Sequence, residues 1–282
     1  RFHSAEIEND KEFSRQLSRH GTIYINDAFG TAHRSHASNV GVTSFFKHAG
    51  IGWLMDKEIN FLQKLMEKPN KPLTLIVGGA KVSSKIKLIE NFLNKADNII
   101  IGGGMAFTFM RAMGKKIGGS LLQESMVTTA LDIINKARMK NVNLLLPIDF
   151  VCSKSIEDSS DGEIFTNNDM PRNLMGLDIG PKTISIFESV LDLSETILWN
   201  GPMGVFEIEK YSNGTKKISQ ILSNCVSKGS NVVVGGGDTA AALDLFKLNK
   251  MMTHVSTGGG ASLELLSGES LEAIKSLETK NE

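Results

Sequence analysis

Four short apolar runs in this chain end in a glycine cluster that leads directly into a segment of helical spacing: Val77-Gly78-Gly79-Ala80-Lys81, Ile101-Gly102-Gly103-Gly104-Met105, Val234-Gly235-Gly236-Gly237-Asp238-Thr239 and Ser256-Thr257-Gly258-Gly259-Gly260. A strand that stops at glycine and passes at once into a helix is the repeating unit of a parallel sheet with crossover helices. In such a sheet the carboxyl ends of the strands form the ligand crevice, and glycine lets backbone N–H groups approach phosphate oxygens with no Cβ in the way. Taken singly, each cluster is also what a tight strand-to-helix turn requires. Four together point to a nucleotide or a polyphosphate.

The rest of the chain has the same rhythm. Thr22 to Ile25, Leu73 to Val77, Asn98 to Ile101, Asn143 to Leu146, Thr196 to Leu198, Asn231 to Val234 and Thr253 to Val255 read as buried strands. Lys85 to Leu93, Glu124 to Lys140, Ser212 to Ser227 and Thr239 to Leu248 carry helical spacing between them. The expected fold class is α/β with parallel, doubly wound sheets. Ile59, Leu62, Leu65 and Met66 place a helix over Glu58 to Lys68, stopped by Pro69 and Pro72. Only one good strand precedes that helix, so the N-terminal lobe is expected to be incomplete. The boundaries drawn are a remnant of the N-terminal lobe over 1–52, an interdomain helix or hinge over 53–71, a nucleotide-binding lobe over 72–268, and a tail over 269–282 returning toward the first lobe. Ser153 to Asp169 is polar and is expected to be a surface loop.

Charge removes several function classes. Lys+Arg and Asp+Glu both number 31, so no global field draws nucleic acid or an anionic membrane, and an anionic ligand must be held by a local cluster. The two cysteines, Cys152 and Cys225, build neither a disulfide framework nor a metal site, which suits a reducing compartment. No apolar run approaches the about 20 residues needed to span a bilayer. The chain opens on Arg1-Phe2-His3 without an initiator Met, and a missing natural N-terminus is the expectation.

The sharper phosphate motifs, GxxxxGK[ST] and a helix-opening GxGxxG, are absent, which disfavours a P-loop NTPase or a dinucleotide dehydrogenase. Lys81 and Lys85 flank the first turn of a helix, where cations are unfavourable unless an anion sits there. Their other reading is a pair of solvated surface lysines. Asp238-Thr239 at a helix start fits either an N-cap or a magnesium carboxylate. Glu207 follows the turned stretch Trp199 to Phe206 and is either a ribose acceptor or a surface acid. Arg34, with His33 and His36, suits phosphate or carboxylate binding, with hydrogen-bonded structural histidines as the alternative.

The collinear segments DAFGTAHRSHAS, GGAKVSSK, GGGMAFTF, LWNGPMGVFE, GGGDTAA and STGGGASLELL resemble phosphoglycerate kinases, and the likeness runs from Arg1 to about Leu266. It implies a two-lobed, cytoplasmic, monomeric enzyme that transfers a phosphoryl group reversibly between ATP, as its Mg2+ complex, and the carboxylate of 3-phosphoglycerate, giving 1,3-bisphosphoglycerate. By the same resemblance the nucleotide is held by Lys81, Lys85, Gly103, Gly104, Gly176, Leu177, Asn200, Pro202, Glu207, Gly236, Gly237, Asp238 and Thr239. Asp238 is the magnesium partner and Glu207 takes the ribose. Lys81, Gly237 and Gly259 are the expected catalytic positions, and Arg1 and Arg34 the substrate arginines. Ser84 stands where some members carry an acid, which shifts metal binding toward Asp238. An isolated nucleotide-binding module without turnover is the alternative.

Overall fold

Leu73–Val77 is apolar apart from Thr74, lies between Pro72 and Gly78, and is buried at every residue. The computed structural model, which describes residues 2–278, makes it an inner strand of a six-stranded parallel sheet. In chain order the strands are β1 (Tyr24–Asn26), β2 (Ala49–Ile51), β3 (Leu73–Val77), β4 (Asn98–Ile101), β5 (Asn143–Leu145), β6 (Asp149–Ser153), β7 (Glu163–Thr166), β8 (Met175–Ile179), β9 (Thr196–Asn200), β10 (Asn231–Gly235) and β11 (His254–Val255). The large sheet runs β11-β10-β9-β3-β4-β5.

Its register explains the unbroken apolar runs. Ile76 pairs with Ile100 on one side and Trp199 on the other, and Trp199 pairs with Val234. These side chains share a face and pack with Phe187 and Leu191 of helix Pro181–Leu191 and Ile218 and Leu222 of helix Asn213–Ser227. Leu75, Ile99, Leu198 and Val233 occupy the opposite face by the same pairings and are also fully buried. Burial on both faces removes the in-out alternation that a half-exposed strand would show.

The chain divides into two compact units, one of Arg1–Lys68 with Ser256–Glu282, the other of Pro69–Val255. Residues 256–268, expected in the nucleotide-binding lobe, therefore group with the first unit. The physical reason is the buried Glu58 on helix Trp53–Glu67, whose Oε1 accepts from both the N–H and the hydroxyl of Thr257 at 2.8 Å. That helix starts five residues earlier than the periodicity suggests, because Asp27 Oδ1 accepts from Met55 N at 2.9 Å and satisfies an N-terminal donor from a distant loop. In the same unit β1 pairs in parallel with β2, so two strands stand where the sequence shows one. Ala273 N donates to Ala32 O, fastening helix Glu272–Glu278.

The expectation of a surface loop over Ser153 to Asp169 is corrected. Glu163–Thr166 forms β7, antiparallel to β6, and β8 completes a three-stranded sheet in the order β7-β6-β8. Phe165 packs on the small core of Phe107, Met110, Phe150 and Met170, which stabilises a strand too short to be visible amid polar neighbours. Helix Pro181–Leu191 also escapes the periodicity reading. Gly180 offers no side-chain cap, and the buried carboxylate of Asp149 on β6 accepts instead from Thr183 N at 2.8 Å and Lys182 N at 3.0 Å. Asp149→Ala would leave the buried Thr183 N and the part-buried Lys182 N without this acceptor and is expected to cost about 2 kcal/mol. A lowered urea midpoint with unchanged slope is the expected result; an unchanged midpoint would contradict this role.

Candidate functional site

At the carboxyl ends of β3, β4 and β9 the turns lie against one another, backbone to backbone. Gly78 N donates to Asn200 O at 3.0 Å, Gly79 N to Pro202 O at 2.9 Å, Gly103 N to Met203 O at 3.1 Å, and Met105 N to Gly79 O at 2.9 Å. A Cβ on Gly78 would sit 2.1 Å from Pro202 O, and Gly103 and Gly201 have φ of +61° and +104°. The clusters are therefore conditions of close approach as well as turns. Gly201 N donates to Thr239 Oγ1 at 2.7 Å, which brings the start of helix Gly237–Leu245 into the same knot.

Two hollows open beside it within this unit. The larger, about 320 Å3, has walls of Phe107, Leu121, Phe150, Leu177 and Phe206, with Glu207 on its lining. The smaller, about 280 Å3, is lined by Lys81, Ser84, Lys85 and Gly201. Gly79, Ala80 and Asp238 line both. An apolar cleft that shares one acidic residue with a neighbouring cationic hollow suits a ligand with a flat apolar head and an anionic tail.

Lys85 Nζ donates to Asn200 Oδ1. Burial pushes its ammonium down to about 8, with nearby Asp238 opposing the shift. Asn200 is fully buried and its Nδ2 has no hydrogen-bond partner, an orphan donor beside the Gly236 turn. Gly236, at φ +94°, occupies the N-cap of helix Gly237–Leu245, and Asp238 lies in its first turn. The capping alternative for Asp238 is thereby removed, and its carboxylate lines the hollows instead. Ser84 Oγ donates to Lys81 O at 2.9 Å, so its hydroxyl proton is committed to backbone.

Gly103, Gly104, Gly176, Leu177, Pro202 and Glu207 line the apolar cleft, and Lys81 and Lys85 the cationic hollow. Thr239 is fully buried, its hydroxyl occupied by Gly201 N, so it serves as a brace behind the site. No atom within 4 Å would meet a Cβ on Gly237, which leaves that turn open. Arg34 and Gly259 belong to the other unit, and Arg1 lies outside the described residues. The loop bearing Arg34 is fixed by Asn39, whose Nδ2 donates to Thr31 O and Arg34 O, and by Glu6 Oε2, which accepts from Ser38 N. His36 Nδ1 lies 3.8 Å from Glu6 Oε1, in keeping with the structural alternative for that histidine.

Sequence reasoning missed the aromatic wall of Phe107, Phe150 and Phe206, and also Asp178, an acid buried in the cleft lining. A lone Asp within the apolar run Met175 to Ile179 was the available signal. Leu177 is the extra residue at an irregularity between β6 and β8, where the pairing passes from Val151↔Asp178 to Cys152↔Gly176. Such bulges re-aim side chains next to functional sites.

A family model described as phosphoglycerate kinase matches residues 1–269. The chain is 44% identical over 277 residues to a phosphoglycerate kinase of Chlorobium chlorochromatii, covering 98% of this chain and 70% of that protein. It is 47% identical over 281 residues to one of Fervidobacterium nodosum, covering 99% and 70% respectively. Among solved structures, phosphoglycerate kinase from Coxiella burnetii superposes with a TM-score of 0.91 at 41% identity, over all of this chain and 72% of that one. The enzyme from Pyrococcus horikoshii gives 0.81 at 28% identity, over all of this chain and 71% of that one. With glycine turns, lysines and an apolar cleft in the arrangement described, the chain belongs to the phosphoglycerate kinase family, whose members transfer a phosphoryl group reversibly between ATP and the carboxylate of 3-phosphoglycerate.

Proposed function

We propose that the base and ribose of ATP or ADP occupy the apolar cleft and that its phosphates lie in the hollow between Lys81, Lys85 and Asp238. The observation that carries this reading is the sharing of Gly79, Ala80 and Asp238 by one aromatic and one cationic hollow. Glu207 accepts from the ribose hydroxyls. Lys85 neutralises phosphate charge, the unpartnered Asn200 Nδ2 supplies a further donor close by, and Lys81 follows the phosphoryl group as it moves. Phosphoryl transfer requires little covalent help, so positioning and charge neutralisation are the contribution expected of the protein.

Mg2+ fits as a companion of the nucleotide rather than as a resident ion. Among the described residues no three His, Cys, Asp or Glu side chains converge on a cation site. The smaller hollow presents one carboxylate, Asp238, which suits an ion that brings most of its remaining oxygens as phosphate and water. When bound, that ion would neutralise the phosphate oxygens. Arg34, and Arg1 by the resemblance, hold the phosphate end of 3-phosphoglycerate, and Gly237 and Gly259 are catalytic positions by the same resemblance. The hinge expected near helix Trp53–Glu67 and a cytoplasmic, monomeric state belong to the same reading, which the family favours over an inert nucleotide-binding module.

Two outcomes test the assignment of roles. Lys81→Ala is expected to lower kcat by about 10²-fold with little change in nucleotide Kd, as removal of a transition-state contact does. Glu207→Ala is expected to weaken nucleotide binding by about tenfold, or ~1.4 kcal/mol, with kcat largely kept. Equal losses of kcat and Kd in both variants would contradict the division. A pH profile supplies the third test. A lysine whose pKa is lowered to about 8 carries its charge below that pH and loses it above. The value of kcat/KM for nucleotide, which reports the free enzyme, should therefore fall on an alkaline limb near pH 8. A profile flat to the range of an ordinary lysine would contradict a phosphate-binding role for Lys85.

A further inference from the structure

Asp178 is 3% exposed, lines the apolar cleft, and has no basic partner among the described residues. Its Oδ2 accepts from Gly214 N at 2.6 Å and its Oδ1 from Ile179 N at 2.9 Å. Gly214 lies in the first turn of the fifteen-residue helix Asn213–Ser227, whose N-cap Ser212 makes no side-chain cap bond, so an acid from another strand takes that place. Gly204, on the turn that carries Val205, Phe206 and Glu207 into the cleft, approaches the same carboxylate: a Cβ there would sit 2.2 Å from Asp178 Oδ1. Around this point Met203 N donates to Thr215 Oγ1 at 3.0 Å, and Val205 N to Leu177 O at 2.9 Å. One carboxylate thus lies where β8, the 203–207 turn and the start of a long helix meet.

From this geometry we infer that Asp178 is a positioning residue for nucleotide binding: in its ionised form it holds the Gly214 helix start, whose Thr215 Oγ1 accepts from Met203 N and Gly204 N of the 203–207 turn, and so sets one wall of the cleft. The inference rests on the reading of the cleft as the nucleotide's. A carboxylate accepts from two N–H groups at once, whereas a protonated acid turns one oxygen into a donor that opposes them. The ionisable groups on the elements packed round it are Asp149 and Cys152 on β6, Glu207, Glu209, Lys210, Tyr211, Lys216, Lys217 and Cys225, and none forms an ion pair with it among the described residues. Val151 faces it across β6. Burial raises its pKa to about 7, against the lowering effect of the Gly214 and Ile179 N–H groups, so both forms are populated near neutral pH.

The test compares Asp178→Asn with the unaltered chain for Mg-ADP affinity by calorimetry and for kcat and KM, from about pH 6 to about pH 8. The nucleotide's own protons titrate identically in both proteins, so the ratio of affinities is the readout. That ratio is expected to grow about three- to tenfold with rising pH as only the unaltered protein tightens, with the difference falling mainly on KM. An Asp178→Asn protein with unaltered affinity and pH dependence would overturn the inference, even if its Tm fell. If that variant does not fold, proton release on binding Mg-ADP, measured for the unaltered chain in two buffers near pH 7, decides. Release from a protein group titrating there supports the inference and its absence overturns it. Ala80→Trp separates the two ideas, since Ala80 is exposed and lines both hollows. If it leaves Mg-ADP affinity unchanged, the nucleotide reading itself fails; if it weakens binding while Asp178→Asn does not, only the role of Asp178 falls.

Discussion

The backbone of the 78–79, 102–104 and 201–203 turns meets within hydrogen-bond distance, and the organisation of the unit Pro69–Val255 depends on that approach. Gly78 N reaches the carbonyl of Asn200, and no residue with a Cβ fits between Gly78 and the Gly201 and Pro202 carbonyls. Such closeness is available only where neighbouring parallel strands end at the same height, as β3, β4 and β9 do by their register. The sheet supplies that registration through burial on both faces, and the turns convert it into a rigid floor. Both hollows open from this floor, and Asp238 is presented to each by a helix that begins at the fourth strand of the set, β10.

The two hollows differ in chemistry because different parts of the fold wall them. The cationic one is built almost wholly from the turns themselves and the lysines that follow β3. The apolar one borrows its far wall from the antiparallel β7-β6-β8 sheet, inserted between β5 and β9, through Phe150, Gly176 and Leu177. Gly176 shows how closely the pieces fit, since a Cβ there would lie 2.3 Å from the Phe107 ring. Two ionisable groups, the half-buried Lys85 in the cationic hollow and the buried Asp178 in the apolar cleft, are each pushed toward neutrality by desolvation.

Local chemistry was legible in the sequence, and distant partnerships were not. β3 and β4 lie where their apolar runs put them, because a doubly buried strand leaves a continuous signal bounded by Gly or Asn. The glycines and lysines that line the cationic hollow follow β3 and β9 directly in the sequence. Helix Trp53–Glu67 was read short because its cap is Asp27, and helix Pro181–Leu191 was missed because its cap is Asp149 on β6. β7 draws its stability from the Phe107 and Phe150 cluster, which periodicity over four residues does not reveal. Residues 256–268 group with the first unit through a bond to Glu58 that spans 199 positions, which no local pattern shows. The aromatic wall of the cleft and Asp178 belong to the same class: each residue is visible in the sequence, but its neighbours are not.

The central claim is that one ligand spans both hollows, apolar end against Phe107, Leu177 and Phe206, anionic end between Lys81, Lys85 and Asp238. The crystal structure of this chain with Mg-ADP tests it most directly. The account predicts the base in the aromatic cleft, the ribose within hydrogen-bond reach of Glu207, and the phosphates over the glycine turns beside Lys85. A nucleotide bound elsewhere in that unit, or bound with its base over the lysines and its phosphates in the cleft, would contradict it.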